Sequence, residues 1–322
     1  MISRPGISVI IPCRNMGKFL GQAIESVLAQ TVPVLEIIVI DDKSTDETLA
    51  VLASYEGRVQ IIHGHGRGSA LARNMGILAA RGDYIAFMDA DDLWMPSKIE
   101  RQIALLRDDQ GFIFTDYYRS DDPLQPGEPV LSTYSAVAEG DVFSNLLREN
   151  FVSTTSVLVR KSVLASSGIF KSALIGGQDF DLWLRLAKHT KFGWVREPLV
   201  FMRKHAGNIT GSIPYPYYHA RVWGEILREH RENELQDLAY MKQRYGGSLY
   251  DAGRHAIRHM DPLMARRHFA KALSQRYRLG QVGFWYLITL LPSGLLNLLL
   301  RVKRAITERH AVRRSSNAVL DA

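Results

Sequence analysis

Residues 6–92 alternate between continuous apolar runs and helical patterns. ISVIIP (Ile7–Pro12) is β-rich and apolar without alternation, as expected of a strand covered on both faces. Asn15 suits a helix start, and FLGQAIESVLAQ then places Phe19, Leu20, Ala23, Ile24, Val27 and Leu28 at helical spacing. EIIVID (Glu36–Asp41) predicts a second buried strand. Ser44 and Glu47 have the spacing of a capping box before the helical TLAVLASY, and Asp46 reads as a first-turn acid favoured by the helix dipole. VQIIH predicts a short third strand, SALARNMGILAARG a helix ending at Gly82, and YIAFMD a fourth strand. This β-α-β-α-β-α-β order indicates an α/β fold: a doubly wound, mostly parallel, Rossmann-like sheet.

From about residue 101 the order changes. IFTDYYRS predicts a further strand, SDDPLQPGEPV (Ser120–Val130) a polar, proline-rich loop, and TTSVLVRKSVL a strand running into a turn or helix. GGQDFDLWLRLAK reads as a glycine turn followed by a helix, with Trp183 and Leu186 facing inward. Residues 220–280 read as helices, with a hairpin turning at Asp261-Pro262. The pattern divides the chain into an α/β domain, 1–219, and a helical extension, 220–322. Val282–Leu300 is 19 residues without a charge, close to the length that spans a bilayer. Pro292-Ser293-Gly294 interrupts it. Three readings stay open: an interfacial or re-entrant segment, a spanning helix, or a buried helix pair.

Charge changes the picture of that extension. The net charge is +7, but residues 1–219 carry 22 basic and 24 acidic side chains, and residues 220–322 carry 18 and 9. The whole basic excess lies in the last third, which suggests an anionic partner there. Arg301, Lys303 and Arg304 would meet anionic headgroups if 282–304 touched a membrane surface. No nucleic-acid-binding module or basic–aromatic groove motif is present, so nucleic acid is not expected. The single cysteine, Cys13, excludes an intrachain disulfide and fits a reducing compartment. The run ISVII is too short for the apolar core of a signal peptide. The expected place is the cytoplasm, with attachment at the inner face of the membrane if the tail binds lipid.

The candidate chemistry sits where strands end. Asp41 and Asp42 close the second strand, and Asp89, Asp91 and Asp92 follow the fourth. In doubly wound sheets ligands bind outside the carboxyl ends of the strands, so both acidic clusters fall on one edge. Clustered carboxylates repel unless a cation or protons neutralise them. Mg²⁺ and Mn²⁺ are held by one or two carboxylates with substrate phosphates completing the shell, which makes D-A-D a platform for a metal–diphosphate. A solvated turn is the competing reading of these acids taken alone.

Six motifs occur here in one order: SVIIPCRN, AIESVLAQT, IIVIDDKSTDET, ARNMGI, GDYIAFMDADD and QDFDLWLRL. Together, over about residues 6–205, they resemble the family 2 glycosyltransferases of the GT-A fold. The resemblance implies a nucleotide-sugar half, 1–100, and an acceptor half, 101–219. It places Pro12, Asn15 and Arg73 near the nucleotide. Asp42 would accept from a ring N–H of uracil or thymine. Asp89 would face the ribose and the hydrated metal, Asp91 would bind the metal directly, and His205 would stand near diphosphate and metal. Asp179 would be the general base, since the family has a Glu-Asp pair where this chain has Gln178-Asp179. The lost neighbouring charge should lower its proton affinity slightly. Asp181 reads as structural, Arg185 as a partner for a carboxylate, and Trp94 as a sugar-stacking or a core residue. Lys43 stands where the family commonly has glycine, so the turn after Asp42 should avoid a left-handed backbone.

The resemblance thus implies an inverting, Mn²⁺- or Mg²⁺-dependent transferase. It would move a sugar, from a UDP-sugar first, to a saccharide or lipid-linked saccharide in cell-surface polysaccharide assembly. Two alternatives remain at this point: a nucleotidyltransferase that makes nucleotide sugars, which would want a glycine-rich phosphate loop that ISVIIPCRN is not, and a non-catalytic nucleotide-sugar-binding protein.

Overall fold

The apolar runs become the centre of one sheet. The computed structural model describes residues 5–174, 176–205, 215–229, 238–259, 261–292 and 295. Contacts between Cα atoms divide the chain into two compact units, Met1–Ile213 and Pro214–Ala322.

In the first unit, β1 (Ile7–Cys13), β2 (Glu36–Asp41), β3 (Gln60–His63) and β4 (Tyr84–Phe87) are mutually parallel in the order β3-β2-β1-β4. Helices α1 (Gly17–Leu28), α2 (Thr48–Ala53) and α3 (Ser69–Ala79) are the crossovers. Val9, Ile10, Ile11, Ile38, Val39 and Ile40 are fully buried, which is why these strands show no polar alternation. The sheet continues as β7-β6-β8-β5: β5 (Leu93–Trp94), β6 (Phe112–Ser120), β7 (Leu158–Arg160) and β8 (Phe192–Arg203). Here β4–β7, β7–β6 and β8–β5 are antiparallel while β6–β8 is parallel, so the sheet is mixed, with parallel pairs in the majority. Helices α4 (Lys98–Ala104), α5 (Phe143–Arg148), α6 (Lys161–Ser167) and α7 (Gln178–Leu186) complete the unit. Trp183 and Leu186 are buried as expected, and Trp94 is a core residue whose Nε1–H donates to Thr155 O at 3.0 Å.

Three local expectations fail where distant partners outcompete local ones. The capping box is not made: Ser44 Oγ accepts from Asn15 N, and Glu47 gives α2 no side-chain cap. Asp46 does the work instead, accepting from the N–H and hydroxyl of Thr48 with one oxygen and from Gly17 N with the other, so it serves both helix starts. Asn15 does not cap α1; its side chain accepts from Thr45 N at 2.7 Å across the strand tips. Lys43 is left-handed, φ +63°, as is Asn15, φ +54°. A lysine there costs roughly 1 kcal/mol relative to glycine, which the tip's hydrogen bonds offset.

The second unit is helical: α8 (Tyr215–Glu229), α9 (Leu238–Arg258), α10 (Pro262–Ser274) and α11 (Leu279–Ile288). The predicted hairpin turns at Asp261, whose carboxylate caps α10 through Met264 N at 2.9 Å, with Pro262 in the first turn. Leu249, Ile257, Phe269, Val282 and Trp285 share one apolar cluster. The uncharged stretch is not one long helix. Its start lies in α11, which buries Val282 and Trp285 and exposes Phe284 and Leu287. Among the described residues no helix is long and apolar enough to cross a membrane. Arg301, Lys303 and Arg304 lie outside the described residues.

Candidate active site

The tips of β1 and β2 form one wall. Asp42 is buried and spends its carboxylate on the loop after β3: Oδ1 accepts from Gly66 N at 2.7 Å and Arg67 N at 3.3 Å, and Oδ2 from Gly68 N at 2.8 Å. Asp41 Oδ1 accepts from Ser44 N. Pro12 pairs with Ile40 in the strand register, and Asn15 is held by Ser44 and Thr45. The Cys13 thiol beneath them is pushed up to about 12, chiefly by burial and then by Asp41, so it is inert at neutral pH.

The end of β4 supplies the second group. Asp89 Oδ1 accepts from Arg73 Nη2 at 2.6 Å. Arg73 reaches it from α3, lies over the Phe170 ring at 5.5 Å, and keeps a buried Nε that has no partner among the described residues. Asp91 Oδ2 lies 2.9 Å from His205 Nε2. Burial and the Asp89 charge raise the Asp91 carboxyl above its ordinary value, and the imidazole pulls it back. Asp92 is buried, accepts from Arg203 N at 3.1 Å, and is raised well above the ordinary range by burial and its two acidic neighbours. It therefore ties the acidic turn to β8 rather than facing a ligand. Arg203 adds a bond from Nε to Asp91 O at 3.1 Å.

Asp179 supplies the third. Gly177, left-handed at φ +68°, turns the chain into α7 so that Asp179 stands in its first turn. Burial raises its pKa, while the Phe180 N–H and the Arg73 charge act against that rise. Gln178 has its own role: Nε2 donates to Leu174 O at 2.6 Å, a bond that a glutamate carboxylate could not make. Asp181 is structural, paired with Lys171 at 2.8 Å and Arg185 at 2.9 Å. Asn74 fastens α3 to this segment through both polar atoms of the Phe170 backbone, at 2.8 and 3.0 Å.

Arg73 therefore joins Asp89 to the neighbourhood of Asp179, and Asp91 meets His205. Pro12, Asn15 and Asp42 belong to the strand-tip wall and are not bonded to these acids. Sequence reasoning missed Asn150, whose Nδ2 donates to Asp179 Oδ2 at 3.4 Å, and Arg203. Neither carries a local signal, since both act through long-range packing.

The chain matches the profile described as glycosyl transferase family 2 over residues 8–165. It is 30% identical over 210 residues to the Escherichia coli UDP-Glc:alpha-D-GlcNAc-diphosphoundecaprenol beta-1,3-glucosyltransferase WfaP, covering 64% of this chain and 80% of that one. The chain belongs to the family 2 glycosyltransferases. A glycosyltransferase of Rickettsia conorii is 34% identical over 215 residues, 66% of this chain and 35% of the relative. This family 2 chain thus spans about a third of the length of the first curated relatives it matches. The S. aureus TarS structure in complex with UDP-GlcNAc superposes with a TM-score of 0.62 at 18% identity, over 92% of this chain and 88% of that one, which shows the shared fold.

Proposed function

We propose that this chain is an inverting, divalent-metal-dependent glycosyltransferase. It moves a sugar from a nucleotide-diphosphate sugar, a UDP-sugar first, to a hydroxyl of a lipid-linked saccharide in cell-surface polysaccharide assembly. The observation that carries the reading is the double service of Arg73: its guanidinium holds Asp89 and its charge acts on Asp179, so the donor-side acid and the base belong to one electrostatic unit. The named substrates of WfaP support the donor and acceptor classes.

The donor set fits a hard cation. Among the described residues no three His, Cys, Asp or Glu side chains converge as a finished metal site. Mg²⁺-type sites in nucleotide enzymes need fewer protein ligands, because diphosphate oxygens and water complete the shell. Asp91 and His205 would hold the ion, with Asp89 beside it, and the ion would supply Lewis-acid neutralisation of the leaving diphosphate. Asp42 fixes the loop Gly66–Gly68 with three of its four acceptor positions, and the one left on Oδ2 suits a base N–H; Pro12 and Asn15 shape the same wall.

In the transfer itself Asp179 takes the proton from the acceptor hydroxyl. The acceptor oxygen forms its bond to the anomeric carbon as the bond from that carbon to the phosphate oxygen breaks. The nucleoside diphosphate leaves with the electron pair, and the anomeric configuration inverts. Asp179 is suited to this because burial raises its basicity. Exposed Phe284 and Leu287 on α11 support contact with the membrane surface that would hold such an acceptor.

The test is hydrolysis of a panel of UDP-, dTDP- and GDP-sugars with Mn²⁺, followed by product anomer analysis with a lipid-linked acceptor. Release of UDP from one UDP-sugar and an inverted product are expected. Turnover of no sugar nucleotide, or retention at the anomeric carbon, would sink the reading.

A further inference from the structure

The segment after α5 brings one more polar side chain to Asp179. Phe151 and Val152 are buried and anchor the backbone there. Asn150 Nδ2–H donates to Asp179 Oδ2 at 3.4 Å, a long bond. A carboxylate accepts, so the amide nitrogen is the end that faces it, and the orientation of Asn150 is fixed by chemistry. Its other end, Oδ1, is buried and has no hydrogen-bond partner among the described residues. An acceptor atom left that way is costly, so a site that keeps one beside a reacting group is built to receive a donor from a ligand.

Resting on the proposed role of Asp179 as base, we infer that Asn150 reads the acceptor saccharide. Its Oδ1 accepts a hydrogen bond from the substituent on the carbon next to the attacking hydroxyl, either a second hydroxyl or an acetamido N–H. Asp179 Oδ and Asn150 Oδ1 are two hydrogen-bond acceptors on directly bonded side chains. Neighbouring substituents on a pyranose ring present two donors side by side in the same way. The acceptor is thus a sugar with a donor group vicinal to the hydroxyl that is glycosylated, and a deoxy sugar at that carbon is rejected. A site whose buried polar atom is left unpaired by the wrong substrate discriminates strongly against it.

The test uses the full chain and the sugar nucleotide that it cleaves fastest in the panel above. The acceptor probes are N-acetylglucosamine, glucose and the glucose deoxygenated at the carbon next to the hydroxyl that the product linkage identifies, each α-linked to diphospho-undecanol. The wild-type enzyme is expected to transfer to at least one of the first two about 10- to 100-fold faster than to the deoxy probe. Asn150→Ala should bring that ratio to within about 2-fold by slowing transfer to the parent sugar, because the parent loses its hydrogen bond to Oδ1 and the deoxy sugar has none to lose. Calorimetric UDP binding reports that each variant is folded. If Asn150→Ala does not bind UDP, the ratio is read on Asn150→Ser, whose hydroxyl still accepts and which should keep part of the discrimination. Transfer to neither parent, an undiscriminating wild type, or a variant with the wild-type ratio overturns the assignment. Asp179→Asn is run beside them. Full transfer by that variant is a failure of the base reading, whereas its inactivity with an unchanged ratio in Asn150→Ala is a failure of Asn150 alone.

Discussion

Asp91 and His205 stand 114 positions apart in the chain, with Oδ2 and Nε2 2.9 Å apart in space. The antiparallel register of β5 on β8, Leu93 opposite Phe201, brings them together, and Arg203 stitches the turn with bonds to Asp91 O and Asp92 Oδ1. Asp91 is held above its ordinary pKa by burial and by Asp89, which marks a site short of positive charge. Asp91→Asn should weaken Mn²⁺-dependent UDP binding by at least about 100-fold, and His205→Ala by about 10-fold. Calorimetric titration of UDP with and without Mn²⁺ checks this. Metal-free UDP binding should change little in either variant, and equal loss with and without Mn²⁺ would contradict the assignment.

In its proposed role as base, Asp179 would trade stability for chemistry. Its pKa is raised in the folded protein, so the folded state holds the proton more tightly than the unfolded chain does. The stability this gives is fully present below the unfolded carboxylate pKa and is lost as pH rises through the raised value. Asp179→Asn has no such loss. Its Tm should exceed that of the wild type at pH 7, with the gap closing towards about pH 4. Transfer should fall about 10²- to 10⁴-fold, the range for removal of a general base. Melting curves across pH and initial rates measure both; a variant less stable at pH 7 than at pH 4, relative to wild type, has the wrong sign.

Asp181, two residues on, has the opposite character. It is buried, and it lies between Lys171 and Arg185, which keep some solvent exposure. Asp181→Asn leaves two cations facing a neutral amide. It should cost about 2–3 kcal/mol, slightly below the usual cost of breaking a buried pair because both cations reach water. The midpoint of urea unfolding reads this directly.

The strand cores and most helices were legible because burial on both faces leaves continuous apolar runs, as in Val9–Ile11 and Ile38–Ile40. The acids at the strand ends were legible as a cluster, and the family resemblance gave Asp179 and His205 expected roles. What could not be read is what depends on register and tertiary partners. The capping box at Ser44 and Glu47 lost to Asp46 because the starts of α1 and α2 lie together, so one carboxylate serves both. Lys43 takes a left-handed backbone although a lysine gives no sign of it. Asn150 carries no motif, and its bond to Asp179 appears once α5 and α7 are packed.

The position of Arg73 rests on a glycine one turn along α3. A Cβ at Gly76 would lie 2.5 Å from Ile10 Cγ2 and 2.9 Å from Ile40 Cδ1, both fully buried in β1 and β2. Those atoms belong to the packed sheet and have little room to yield. Gly76→Ala gains up to about 1 kcal/mol of helix propensity but incurs overpacking of about 1–3 kcal/mol. The net effect should be destabilising, and α3 should relieve it by lifting from the sheet. Because Ser69, Arg73 and Asn74 ride on the same helix, Arg73 then moves off Asp89, and transfer falls with stability. Leu78→Ala is the control: Leu78 is 78% exposed on that helix and its truncation should stay within about 0.5 kcal/mol of wild type. Melting temperature and kcat/KM of the two variants decide the matter. A Gly76→Ala enzyme as stable and active as the control would mean that the sheet has slack under α3 and that Arg73 is not placed by this contact.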